Sequence, residues 1–160
     1  MPISMNRRLF MGTMAATGLV TPAFAATNHT VEMLNVHPDN PRLRFVFSPR
    51  VTVVEPGDTI TFTPTDPGHN SESVPAMIPE GVEGWEGRIG KEVVATLDQP
   101  GFYGYICKPH ASVGMVGLVI VQGDGMLDNL EAAKGARQRG AAKKIWDEIW
   151  AEVDELGLSS

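Results

Sequence analysis

QPGFYGYICKPHASVGMVGLVIV, residues 99–121, holds two runs of strand character on either side of a short polar loop. Gln99-Pro100-Gly101 is a turn signal, and GFYGYI and VGLVIV are aromatic and β-branched runs of strand length. CKPHASVGM joins them in too few residues for anything but a tight loop between a strand ending at Ile106 and one beginning at Val116. Working outward, HTVEMLNV, LRFVFS, VTVVEPGDTITFT and EVVATL have the same character. In the first of these Val31, Met33 and Asn35 alternate with Thr30, Glu32 and Leu34. Pro56-Gly57-Asp58 and Asp66-Pro67-Gly68 punctuate the series. From Thr30 to Val121 this spacing of short strands predicts an all-β domain, an antiparallel sandwich or barrel.

After Gly123 the composition changes. Leu127 and Leu130, then Ile145, Trp146, Ile149, Val153 and Leu156, recur at helical spacing and predict two helices over about 125–156, broken near Gly135 to Gly140. Trp146 and Trp150 belong to the apolar stripe that packs such a helix on the sandwich, and Lys143-Lys144 to its solvated face.

A chain of 160 residues suits one compact domain. Residues 1–25 read as a cleaved export signal: Arg7 and Arg8 precede an apolar run to about Val20, and Ala23-Phe24-Ala25 is a small-residue cleavage site. The run is shorter than the roughly 20 apolar residues of a membrane span, so the mature domain, 26–160, is expected to be soluble. Asn6 to Met11 also suits twin-arginine export, with the general secretory route equally open. Removing 1–25 takes away two arginines and no acid, moving the formal charge from −6 to −8. Such acidity speaks against nucleic acid or an anionic membrane as partner.

Cys107 is the only cysteine, so it cannot form an internal disulfide. A buried inert thiol, an intermolecular disulfide and a metal ligand remain. Its neighbours favour the last. Two imidazoles and a thiolate, with a weak axial thioether, make a blue-copper electron-transfer site, and Cys107, His110 and Met115 bring three of those groups onto one loop. His69, in GHNSES after the strand TITFT, is the candidate fourth; His29 and His37 are read as solvated surface residues.

GHNSES, AMIPEGVEGW, QPGFYGYICKPH and the closing methionine resemble the pseudoazurins, periplasmic blue copper proteins of the cupredoxin family, from about Val31 through the helices. The resemblance implies a Greek-key β-sandwich or barrel, a plastocyanin-like domain ending in two α-helices. It implies copper held by His69, Cys107, His110 and Met115, with His110 near the surface as the electron port. It also implies Asn70 as the residue tying the ligand loops together. Pro109 has no N–H to offer the sulfur, and Phe45 stands where relatives commonly place a methionine against the exposed imidazole. A monomeric periplasmic carrier follows, not an enzyme, with copper nitrite reductase as acceptor and a cytochrome c as donor; a copper carrier or chaperone is the alternative. Lys108, Arg42, Arg44, Arg88 and Lys91 are the cations that such a partner surface would use.

Overall fold

The computed structural model describes residues 25–160, so the expected export signal lies outside the described residues except for Ala25. Among the described residues, eight strands form two four-stranded sheets. The first sheet has β1 (Asn28–His37), β2 (Asn40–Ser48), β4 (Asp58–Thr63) and β6 (Val93–Leu97), in the order β2-β1-β4-β6. The second has β3 (Val51–Val54), β5 (Glu72–Ser73), β7 (Gly101–Ile106) and β8 (Val116–Val121), in the order β3-β8-β7-β5. Helices α1 (Leu130–Gly135) and α2 (Ala142–Glu155) follow. No helix among the described residues is long and apolar enough to cross a membrane.

The sheets are mixed, which corrects the antiparallel expectation. β1 runs parallel to β4, and β3 parallel to β8. Turn residues mark where a strand ends but not which strand it later pairs with, so the crossovers that create parallel pairs leave no local signature. His29 and His37 both lie in β1 and both keep part of their surface in solvent; residues 28–32 pair with residues 59–63, and His37 pairs with Asn40 of β2.

Alternation on the strands builds a core between the sheets from Val31, Met33, Phe62, Tyr105 and Val119, each at most 2 % exposed. β8 is buried along its whole length. Its outer side chains, Leu118 and Ile120, meet Trp146, Ile149 and Val153 of α2 in a second cluster. A strand covered on both faces reads as a continuous apolar run rather than an alternating one, which is why VGLVIV has no polar residue. Gly117 sits opposite Tyr105 on β7, and the phenol ring occupies the space a Cβ would need.

Asp58 ties the amino-terminal end of the domain down. Its carboxylate accepts hydrogen bonds from the Thr27 N–H at 2.7 Å and the Glu55 N–H at 3.1 Å, and pairs with His29 Nε2 at 3.0 Å. The Thr27 N–H above all, with the other two partners, holds its pKa below the ordinary 3.8. A depressed carboxyl pKa contributes stability that is full above the unfolded value and fades as pH falls through the folded one. Asp58→Asn is therefore expected to melt below wild type at pH 7, with the gap closing as pH falls below about 3.8. A gap in melting temperature independent of pH would contradict this assignment.

Candidate metal centre

Two loops at one end of the sandwich meet. His69 arrives at the end of the turn after β4, and Cys107 and His110 arrive from the β7–β8 loop. His69 and Cys107 are fully buried, and His110 is half-buried. His69 Nδ1 and His110 Nδ1 stand 3.1 Å apart, and Cys107 Sγ is 3.7 Å and 3.5 Å from them. A triangle with these sides has a circumradius of about 2.0 Å, close to metal–nitrogen bond lengths and slightly short of metal–thiolate ones. The three atoms thus surround a point at bonding distance from each, and they fit a single metal ion.

The β7–β8 loop owes its shape to its own backbone. Cys107 N–H donates to Met115 C=O at 3.0 Å, Met115 N–H to His110 C=O at 3.1 Å, and His110 N–H to Cys107 C=O at 3.0 Å. Residues Ala111–Val113 form one 3-10 turn, ended by Gly114 at φ 103°, a left-handed conformation that favours glycine. The helical corner braces this turn from outside. Ala141 N–H donates to Ser112 C=O at 3.0 Å, and a Cβ on Gly114 would come within 2.8 Å of Ile145. Met115 is fully buried in the same cluster as Cys107.

His69 is oriented by a residue that the sequence reading passed over. Its Nε2–H donates to Asn35 Oδ1 at 3.0 Å, which leaves the Nδ1 lone pair facing Cys107 and His110. The Asn35 N–H in turn donates to Asp66 Oδ2 at 2.6 Å. A signal existed: Asn35 shares the alternation phase of core residues Val31 and Met33, and a polar side chain in that phase needs a partner inside.

Asn70 joins three segments. It accepts the Lys108 N–H at Oδ1, 2.7 Å, and its amide donates to Gly87 C=O at 3.0 Å and to Glu72 Oε2 at 3.3 Å. Phe45 lies against the opposite side, stacked on the His110 ring at 4.4 Å between centroids and 10° between planes. Its φ is 51°, a left-handed conformation that a bulky residue holds at a cost of about 1–3 kcal/mol. Pro109 is exposed. His29 and His37 are not brought to the centre: His29 pairs with Asp58, and His37 Nδ1 accepts the Asp39 N–H at 3.2 Å. Lys108 bridges Glu72 and Glu86 at 3.6 Å each. Arg88 flanks it, and Arg42 and Arg44 line a groove beside Phe45.

The electrostatics favour metal over charge alone. Burial lowers the His69 pKa, helped by His110 and opposed by Asp66, and so keeps its imidazole neutral and able to ligate. Burial also pushes the Cys107 thiol up, outweighing the backbone N–H groups of Asn70 and His110 that lower it. A dication is what pays for a thiolate in so apolar a place, releasing the proton on binding. Full burial of Cys107 also rules against the intermolecular disulfide in this fold.

Residues 32–122 match the family of copper binding proteins described as plastocyanin/azurin. The chain is 43% identical over 140 residues to the pseudoazurin of Paracoccus pantotrophus, covering 88% of this chain and 92% of that one. It is 40% identical over 141 residues to that of Methylorubrum extorquens, covering 88% and 92%. The native pseudoazurin structure from Hyphomicrobium denitrificans superposes with a TM-score of 0.72 at 41% identity, over 79% of this chain and 98% of that one.

Proposed function

Because the chain belongs to the plastocyanin/azurin family of copper-binding proteins, and within it to the pseudoazurins, we propose that His69, Cys107, His110 and Met115 hold its copper ion and that it carries single electrons between periplasmic redox proteins. The observation that carries this is the convergence of two Nδ1 atoms and one Sγ on a point about 2.0 Å from each. Copper supplies a one-electron change between Cu(II) and Cu(I). The chain's own residues keep that change inexpensive. Asn35 fixes the His69 ring, Asn70 clamps the loop to its neighbours, and the Cys107–Met115 backbone ring resists rearrangement, so the ligands need not move when the charge does. Burial of Cys107 and His69 keeps water from the metal, and the half-buried His110 gives the electron a route outward.

The acceptor on this reading is a reductase such as copper nitrite reductase, with a cytochrome c as donor. Stopped-flow mixing of the reduced protein with copper nitrite reductase and nitrite tests it. One electron per copper should pass to the enzyme, whereas nitrite alone should leave the protein reduced. Turnover of nitrite without the enzyme would make it a catalyst, and rapid loss of copper to a weak chelator would make it a metal carrier.

Pro109 bears on the potential. A further hydrogen bond to the thiolate draws electron density from it and favours Cu(I). Pro109→Ala adds an N–H to the ligand loop two residues after Cys107 and is expected to raise the midpoint potential in voltammetry. An unchanged or lowered midpoint would contradict that role.

A further inference from the structure

The 3-10 turn Ala111–Val113 separates two of the proposed ligands, His110 and Met115, so its shape decides where one stands relative to the other. Inside, the turn holds itself with short-range bonds: Val113 N–H donates to His110 C=O at 3.1 Å, Gly114 N–H to Ala111 C=O at 3.0 Å and Met115 N–H to His110 C=O at 3.1 Å. None of its three residues is buried, so it has no core anchor of its own. A single turn held only in this way opens readily. What lies against it is the corner between the helices, residues 136–141 with the first turn of α2.

Three contacts join corner and turn. No side chain caps α2, and the N–H of its N-cap residue, Ala141, donates to Ser112 C=O at 3.0 Å, so the ligand loop supplies a partner to a helix end that otherwise lacks one. Gly140 passes so close to Ser112 that the same carbonyl occupies the space a Cβ would need. Ile145, one turn into the helix, presents its Cγ1 to Gly114. The corner is in turn anchored to the strand that leaves the metal centre: Trp146, Ile149 and Val153 pack with Leu118 and Ile120 of β8, which starts one residue after Met115. Arg50 adds a second tie, since its side chain pairs with Glu148 and Glu152 at 3.0 and 3.3 Å while its C=O accepts the Leu118 N–H at 2.8 Å. Helix, strand and turn therefore form a closed frame.

We propose that the corner between α1 and α2 is a positioning element of the metal centre: through Gly140, Ala141 and Ile145 it fixes the 111–113 turn, and with it where Met115 stands relative to His69, Cys107 and His110. The proposal rests on the copper reading of the centre and adds three positioning residues to it, which act through the backbone of Ser112 and Gly114. The turn then keeps its shape with or without the metal, and the site is preformed rather than drawn together by the ion. A loosened corner frees Met115 to withdraw. Cu(I) accepts a lower coordination number than Cu(II), so weakening the axial donor disfavours the oxidised state more and raises the midpoint potential.

The test uses the full mature protein in two states. In the copper-free protein, amide hydrogen exchange followed by NMR at Val113, Gly114 and Met115 reads how often the turn opens. Ile145→Ala is expected to speed exchange at these three amides about tenfold or more, and Gly140→Ala to do the same by forcing corner and turn apart. Ile145→Val keeps the γ carbon that faces Gly114 and should hold wild-type exchange. Val153→Ala, at the far end of α2, removes core contacts and lowers the melting temperature, yet should leave all three amides as in wild type. In the Cu(II)-loaded protein, Ile145→Ala and Gly140→Ala should change the relative intensities of the thiolate-to-copper bands and raise the midpoint potential, with Ile145→Val and Val153→Ala at wild-type values. Unchanged exchange in both corner variants would overturn the proposal. So would equal effects in Val153→Ala, which would reduce the corner to general stability, or an unchanged spectrum and midpoint in variants whose exchange has quickened. The exchange measurement contains no copper, so it decides the brace by itself, whereas a wild-type protein that stays colourless with copper bound would strike the electron-carrier reading.

Discussion

Replacing Cys107 by alanine is expected to abolish the intense visible absorption of the Cu(II)-loaded protein altogether. The colour requires charge transfer from a thiolate to copper, and the chain has no other cysteine to supply one. His69 and His110 keep their Nδ1 atoms 3.1 Å apart, so the variant should still take up Cu(II) through nitrogen ligands and show only weak absorption. The reversible one-electron response should vanish with the sulfur, because Cu(I) loses its soft ligand while the remaining donors favour Cu(II). Titration with Cu(II) followed by absorption and voltammetry reads both effects. A strong band surviving in Cys107→Ala would mean that the sulfur is not bound to the metal.

The second large effect is expected at Asn35, which touches no metal. Its Oδ1 accepts the His69 Nε2–H at 3.0 Å and is the only described hydrogen bond that fixes which nitrogen of that ring faces the centre. Asn35→Ala leaves a buried N–H without an acceptor and frees the ring to turn or change tautomer. Loss of such a supporting partner typically costs about 10–100-fold in metal affinity. The same range is expected here for Cu(II) in a competition titration, together with weakening of the visible band. Asn35→Asp keeps an acceptor oxygen and should hold affinity close to wild type. Wild-type affinity in Asn35→Ala would show that the loop alone orients His69.

These two residues also mark what could and could not be read in the amino-acid sequence. The proposed ligands Cys107, His110 and Met115 stand out in the sequence because their spacing is local: one loop between two unmistakable strands carries all three, and the structure brings Cys107 and His110 together with His69. His69 needed the pairing of distant loops, and its place after TITFT, with the other histidines in less apt positions, was enough to single it out. Asn35 lies 34 residues from the ring it serves, on a strand, and looks like an interruption of an apolar phase until the fold brings the two together. Strand limits followed from alternation and turn residues. β5 escaped because two residues, Glu72 and Ser73, are too few to show a period. The parallel pairs escaped because direction is a property of crossovers. The stack of Phe45 on His110 depends on a left-handed backbone at a phenylalanine, a choice against local preference that only tertiary packing enforces. The helices were legible as helices, whereas their brace on the ligand loop, through Ala141 and Ser112, is a contact that no periodicity encodes.

The most direct measurement is a Cu(II) titration of the wild-type protein followed by visible absorption, with one-electron reduction at its end point. One equivalent should saturate an intense blue band, which reduction should bleach and reoxidation restore. A protein that stays colourless with copper bound, or refuses copper, would contradict the convergence of His69, Cys107 and His110 on a single redox-active ion.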